Sequence, residues 1–88
     1  MADQSLLDAL RQEIDAIDDQ LNELFQQRME LVEHVAQYKK EHNISVLDAN
    51  REQEIVARLI ADQSPEQAAL TTTLFEQIFA ISRSAQQK

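Results

Sequence analysis

The 88-residue chain contains no glycine, no cysteine and no tryptophan, and it has a single proline. Strands and tight hairpins depend on turns built from glycine and proline, so the scarcity of both favours an all-helical fold. Without cysteine, disulfides and thiolate metal sites are excluded. Without glycine, no glycine-rich phosphate-binding loop can form. These absences leave a small helical protein as the expectation.

Positive charge is also scarce, with 8 basic against 16 acidic side chains and a formal net charge of −8. Nucleic acids and anionic membranes bind basic surfaces, so neither is expected as a partner. No apolar run approaches the roughly 18 residues of a membrane span, and the first residues do not resemble a signal peptide. We therefore expect a cytoplasmic protein.

His34 and His42 lack acidic or thiol neighbours at ligand spacing, so no metal site is expected.

A long apolar stripe marks the first half of the chain. From Leu7 to Tyr38 apolar residues recur at steps of three and four, the spacing of a helix with a buried seam. The pattern predicts a helix over about residues 5–42, with a length of about 57 Å. A compact chain of this size has a radius of gyration of only about 12 Å. Because the stripe would lie partly bare, we predict an intertwined homodimer in which a second chain covers it.

The remainder predicts two shorter helices. Residues 43–47 interrupt the periodicity and indicate a loop, after which Asp48 is a natural N-cap for a helix over about 49–62. Ser64 and Pro65 start a third helix over about 65–84, with Gln67 completing a capping box. Six apolar residues are expected as its buried stripe: Leu70, Leu74, Phe75, Ile78, Phe79 and Ile81. The prediction is one all-α domain, residues 1–88, of three helices.

Arg28 occupies a position of the stripe where an apolar residue is expected. A guanidinium cannot lose its charge, so burying it requires an anion from the protein or from a ligand. Alternatively, a polar seam residue only fixes the register of paired helices. Lys39 lies three turns away on nearly the same face, about 16 Å along the axis. Arg11 lies about 25 Å from Arg28, so it can reach the same region only from the partner of an antiparallel dimer.

The second helix begins with a charged cluster. Asp48 and Glu52 are one turn apart and share a face, with Arg51 beside them, where a helix start has spare N–H donors. A site here would combine cations with a carboxylate that accepts a hydroxyl proton in a hydrogen bond. Each residue also has a simpler interpretation: Asp48 as a cap only, and Arg11 and Lys39 as solvated helix charges.

Five stretches together resemble one family. They are LRQEIDAID (10–18), LFQQRMEL (24–31), VAQYK (35–39), DANRE (48–52) and LFEQI (74–78), the last leading to Ser82 and Gln86. The chain resembles the all-helical chorismate mutases, including the mutase domains fused to prephenate dehydratase or dehydrogenase. The resemblance implies a domain-swapped dimer of three-helix protomers in which each site borrows an arginine across the interface.

The implied reaction is the Claisen rearrangement of chorismate to prephenate, a step towards phenylalanine and tyrosine. This unimolecular rearrangement needs no nucleophile, cofactor or metal, and it is accelerated by holding the dicarboxylate in its compact conformer. By the resemblance, Arg28 and Arg11 of the partner subunit would bind the substrate carboxylates, with Ser82 assisting. Arg51 would complete the charged wall, and Val35 would give an apolar contact.

The resemblance also implies which groups meet the reacting bond. Lys39 and Gln86 would donate to the ether oxygen as negative charge builds on it, although the adjacent Gln87 is an alternative to Gln86 so close to the chain end. Glu52, with the Asp48 region, would hold the ring hydroxyl.

Two other functions remain open from the sequence. One is an isochorismate-pyruvate lyase of the same fold. The Asp48-x-x-Arg51-Glu52 element favours the mutase over this lyase. The other is a non-catalytic helical dimerisation module, in which Arg28 pairs with a protein carboxylate such as Glu52. Arg83, near the expected pocket, is expected to point outward.

Overall fold

The computed structural model describes residues 4–87, which fold into three helices: α1 (Gln4–Glu41), α2 (Ala49–Ile60) and α3 (Pro65–Gln86). Over that range the protein has no strand, which confirms the predicted all-α class with three helices. The second helix ends two residues earlier than predicted, and the third continues two residues further. The predicted domain also includes residues 1–3 and 88, which lie outside the described residues. No helix within residues 4–87 is both long and apolar enough to cross a membrane.

Side-chain caps fix the starts of α2 and α3. Asp48 Oδ1 accepts a hydrogen bond from the Arg51 N–H at 3.0 Å, and Ser64 Oγ accepts one from the Gln67 N–H at 3.1 Å. Pro65 occupies the first turn of α3, where its missing N–H costs no helical hydrogen bond. The predicted N-caps of both helices are therefore confirmed.

A left-handed residue ends α1. Asn43 has φ 55°, and around it the Ile44 N–H donates to the Lys39 carbonyl at 2.8 Å and the Asn43 N–H to the Lys40 carbonyl at 3.5 Å. This pair of bonds is a Schellman turn, whose left-handed position is usually glycine and sometimes asparagine. In a chain without glycine, asparagine is the residue best able to adopt that conformation.

The described chain divides into two compact units, one ending at Leu31 and the other beginning at Val32. The first unit contains only the N-terminal part of α1. A lone helix cannot bury its own apolar stripe, and the stripe residues of this unit are 40–64% exposed: Leu7, Leu10, Ile14, Ile17, Leu21, Leu24 and Leu31.

The second unit is built on the packing of α2 against α3. The apolar face of α2 is half-buried there: Ile55, Val56, Leu59 and Ile60. On α3, Phe79 is 6% exposed and its ring lies 5.8 Å from that of Phe75. Phe79 and Ser82 are the buried side chains of the described residues, so the core of this unit is small.

The apolar stripe predicted for α3 is buried only on one side. Leu70, Leu74 and Ile81 are 65%, 54% and 48% exposed, so their predicted burial is wrong for the single chain. At about 100° per residue these three lie within an arc of about 40°, whereas Phe75, Ile78 and Phe79 occupy the next 100° or so. The apolar arc is too wide for one neighbouring helix, and α2 covers the phenylalanine side.

Candidate active site

An ion pair joins α2 to α3 where the sequence predicts the site. One guanidinium nitrogen of Arg83, Nη1, lies 2.7 Å from Glu52 Oε1 and 2.6 Å from Oε2. The two side chains are only 33% and 25% exposed. The expectation that Arg83 points outward is therefore wrong. A half-buried guanidinium needs a counter-charge, and Glu52 provides it.

Glu52 also lines a groove of about 440 Å³ between α2 and α3. Val56, Ile60 and Phe79 give the groove an apolar surface, and Glu76 is its second carboxylate. A concave, mostly apolar surface with few polar groups is typical of small-molecule sites. Glu52 is thus a lining residue of the groove and also the partner of Arg83.

Ser82 is the buried polar residue of α3. Its side chain is 6% exposed, and its Oγ donates a hydrogen bond of 2.8 Å to the Ile78 carbonyl one turn earlier. A hydroxyl has a single proton to donate. To bind a substrate carboxylate as the resemblance implies, Ser82 must therefore turn that proton away from its own helix.

Gln86 is the last residue of α3, one turn beyond Ser82. Its Oε1 is buried and has no hydrogen-bond partner. The neighbouring Gln87 is exposed and forms the C-cap, with its N–H donating to the Ser84 carbonyl at 3.3 Å. A buried acceptor oxygen without a partner is costly unless a ligand donates to it, whereas the role that the resemblance implies uses the amide N–H of the same side chain. Gln86 is thus half-buried and Gln87 exposed, and which of the two donates to the ether oxygen stays a prediction.

Lys39 holds the loop that follows α1. Its Nζ donates a hydrogen bond of 3.0 Å to the Val46 carbonyl, and the residue is half-buried. An ammonium group has three N–H donors, so two remain for a ligand. The contact therefore restrains the Lys39 side chain and leaves two of its N–H donors for a ligand.

The remaining predicted residues of the second unit are more exposed. Asp48 is engaged as the cap of α2. Arg51 forms an ion pair with Glu54 at 3.7 Å, but the side chains are 61% and 70% exposed, and such surface pairs contribute little to stability. Val35 is 46% exposed.

Arg11 and Arg28 belong to the first unit, where Arg11 is exposed and Arg28 is half-buried. The other predicted residues belong to the second unit. That both sets form one site stays a prediction.

The two histidines are exposed, as expected. The His42 ring stacks on Tyr38 with centroids 4.0 Å apart, and its Nδ1–H donates to the Tyr38 carbonyl at 2.8 Å. Residues 4–87 contain no group of three or more histidine, cysteine or acidic side chains placed to hold a metal ion.

The contact between Arg83 and Glu52 is not predictable from local sequence patterns, because the two residues lie 31 positions apart. The only hint is a cation in a stretch of α3 that is otherwise expected to be apolar near the pocket. Pairing it with Glu52 requires knowing how α2 and α3 pack.

The chain is similar to known proteins in sequence and in fold. The family model for chorismate mutase type II matches residues 10–87. A solved structure described as a conserved hypothetical protein from Pyrococcus furiosus is 32% identical, with a TM-score of 0.80 over 96% of this chain and 99% of that chain. A comparison with curated proteins finds no match. With nearly its whole described length matched, the chain belongs to the type II chorismate mutase family.

Proposed function

We propose that this protein is a chorismate mutase that converts chorismate to prephenate. The observation that carries the proposal is the extent of the family match: residues 10–87 include every predicted site residue, from Arg11 to Gln86. The tethered Lys39 supplies further support, because it is half-buried and two of its N–H donors remain for a ligand.

The proposed catalysis is electrostatic. As the ether bond of chorismate breaks, negative charge develops on its oxygen, and donors already in place stabilise that charge without reorganising. Lys39 donates with an N–H that Val46 does not use, and the Gln86 side-chain amide donates from the opposite helix. Glu52 accepts the hydrogen bond of the ring hydroxyl, next to the Asp48 cap at the start of α2.

The substrate carboxylates are bound by arginines in this proposal. Arg28 binds one of them, and Arg11 of the partner subunit contributes across the interface, with Ser82 assisting from α3. Arg51 completes the cationic wall and Val35 contacts the ring. Binding both carboxylates holds the chain of reacting atoms in its compact conformer, which lowers the entropic part of the barrier.

The proposed assembly is an intertwined, domain-swapped homodimer. Its support is the apolar stripe of α1, 40–64% exposed from Leu7 to Leu31 in the single chain. A continuous exposed stripe of that kind marks an interaction surface. Pairing two first helices buries the stripe and brings an arginine of each chain to the other.

Separate incubations with chorismate and isochorismate test the function. We expect chorismate to be consumed, seen as a loss of its absorbance, and prephenate to appear as the product. Release of pyruvate from isochorismate instead identifies a lyase of the same fold. A well-folded dimer that consumes neither substrate is a non-catalytic module and contradicts the proposal.

A further inference from the structure

Arg83 lies in the last turns of α3, next to the predicted site residue Ser82 and three residues before the predicted site residue Gln86. Arg83 itself was not predicted as a site residue. Its guanidinium reaches across to the first turn of α2, where Nη1 bridges both oxygens of Glu52. The pair therefore ties the turn that carries Ser82 and Gln86 to the start of α2, where Asp48 and Arg51 lie.

The charge of Glu52 creates a difficulty for that substrate. Chorismate carries two carboxylates, and a third carboxylate beside them repels it. The repulsion is appreciable where Glu52 is only 25% exposed, because solvent screens the charge incompletely there. Yet a charged acceptor is well suited to the ring hydroxyl.

Arg83 resolves this conflict by its position. It neutralises the Glu52 charge and fixes the orientation of the carboxylate. A carboxylate has about four lone-pair sites, and the contact with Nη1 occupies one on each oxygen. The remaining sites can still accept a hydroxyl proton.

We propose that Arg83 is a positioning residue for substrate binding: it fixes the orientation of Glu52 and cancels its charge, so that a dianionic substrate can bind beside it. The inference rests on the proposed function. It assigns a role in affinity and not in the chemical step, since Arg83 acts through Glu52.

The first test replaces Arg83 with glutamine, which removes the charge but keeps a polar side chain. We expect KM for chorismate to rise about tenfold, while kcat changes by less than about threefold. Arg83→Lys keeps the charge and should hold KM within about threefold of the parent value. Arg58→Gln, which removes an exposed arginine of α2, is the matched control for net charge and should leave KM unchanged.

A second test separates the charge effect from loss of the contact between helices. Arg83→Gln and the double variant Glu52→Gln/Arg83→Gln both lack the ion pair, so any loss of packing is common to them. They differ in the charge of residue 52, while glutamine at that position keeps an oxygen that can accept the ring hydroxyl. We expect the double variant to have a KM several-fold below that of Arg83→Gln. We also expect the ratio of the Arg83→Gln KM to the parent KM to fall as ionic strength rises, since salt screens the repulsion that only the variant has.

The outcomes distinguish this inference from the proposed function. If the parent protein turns over chorismate but Arg83→Gln has the KM of Arg58→Gln, or the double variant does not lower KM, the ion pair only joins two helices and the inference is wrong. If the parent protein neither converts chorismate nor binds it by calorimetry, the proposed function fails and this inference fails with it. Circular dichroism and sedimentation confirm that each variant compared is folded and equally associated.

Discussion

Lys39 combines a structural contact with a proposed catalytic one. Its ammonium donates to the Val46 carbonyl and so holds the loop after α1, while two donors remain for the substrate. The contact limits the conformations of a long and otherwise mobile side chain. A donor held in place before the reaction stabilises developing charge better than one that must be ordered during it.

Replacing Lys39 with alanine should lower kcat/KM for chorismate by about 100- to 1,000-fold or more, the range observed when one charged or oxyanion-type donor is removed. Lys40→Ala is the matched control, because it removes the neighbouring, exposed lysine from the same helical turn. The measurement is steady-state kinetics of both variants at equal protein concentration. Activity of Lys39→Ala near that of Lys40→Ala would remove Lys39 from the proposed mechanism.

At this scale the sequence indicated which residues carry the chemistry but not what they contact. Asp48 was predictable as a cap because its partner, the Arg51 N–H, lies three residues away. The contact between Glu52 and Arg83 spans 31 residues and depends on the packing of two helices. Local patterns carry no information on such a pair, which is why Arg83 was expected to point outward.

Helix ends show how the chain compensates for the absence of glycine. The turn after α1 needs a residue in the left-handed region, and Asn43 takes that position with φ 55°. The loop itself was predicted from the break in periodicity. Its conformation was not, because asparagine is common in many kinds of turn.

Asn43→Ala should lower the free energy of unfolding by about 1 kcal/mol, because a β-carbon without asparagine's local hydrogen bonding disfavours the left-handed region. Asn43→Gly should stay within about 0.5 kcal/mol of the parent protein, since glycine adopts this region readily but makes the unfolded chain more flexible. Urea unfolding at a fixed protein concentration measures both. Equal destabilisation by alanine and glycine would show that the asparagine side chain, and not the backbone conformation, matters.

The start of α3 permits a similar test. Ser64→Ala removes the acceptor for the Gln67 N–H and should cost about 1 kcal/mol of stability. Ser64→Asp keeps an acceptor and adds a negative charge near the positive end of the helix, so it should be close to neutral or stabilising. Ser84→Ala, an exposed serine near the other end of α3, serves as the control in the same urea titration. A loss for Ser64→Ala no greater than that of the control would contradict the capping role.

The burial of the apolar residues was the least predictable property of the helices. The periodicity of α3 indicates which residues are apolar, but it does not say which neighbour covers them. Phe79 is buried by the packing of α2 and α3, whereas Leu70, Leu74 and Ile81 remain exposed in the single chain. Burial by another chain and burial within one chain produce the same sequence pattern.

At the scale of the whole molecule, the described residues form only a small apolar core. Phe79 is the buried apolar side chain among them, whereas the apolar stripe of α1 is exposed. A chain with so small a core gains little by folding alone. The proposed dimer would supply the missing burial, and folding and association would then depend on concentration together.

Leu21→Glu places a charge in the middle of the stripe and should abolish the dimer, because a desolvated carboxylate without a partner is strongly unfavourable. Asn22→Glu adds the same charge one position away, off the stripe, and should remain dimeric. Sedimentation equilibrium measures the association, and thermal melting at several concentrations shows whether folding follows it. A Leu21→Glu variant that sediments and melts like Asn22→Glu would contradict pairing through this face.

The stack of Tyr38 on His42 has a practical consequence. Tyr38 is the only tyrosine of a chain that has no tryptophan, so the intrinsic emission of the unlabelled protein above the phenylalanine range comes from a single ring. That ring lies 4.0 Å from the His42 imidazole, at the end of α1 and on its apolar stripe. The natural fluorescence of the protein therefore reports on one helical turn, and it can follow unwinding of that turn or its contact with a partner without any added label.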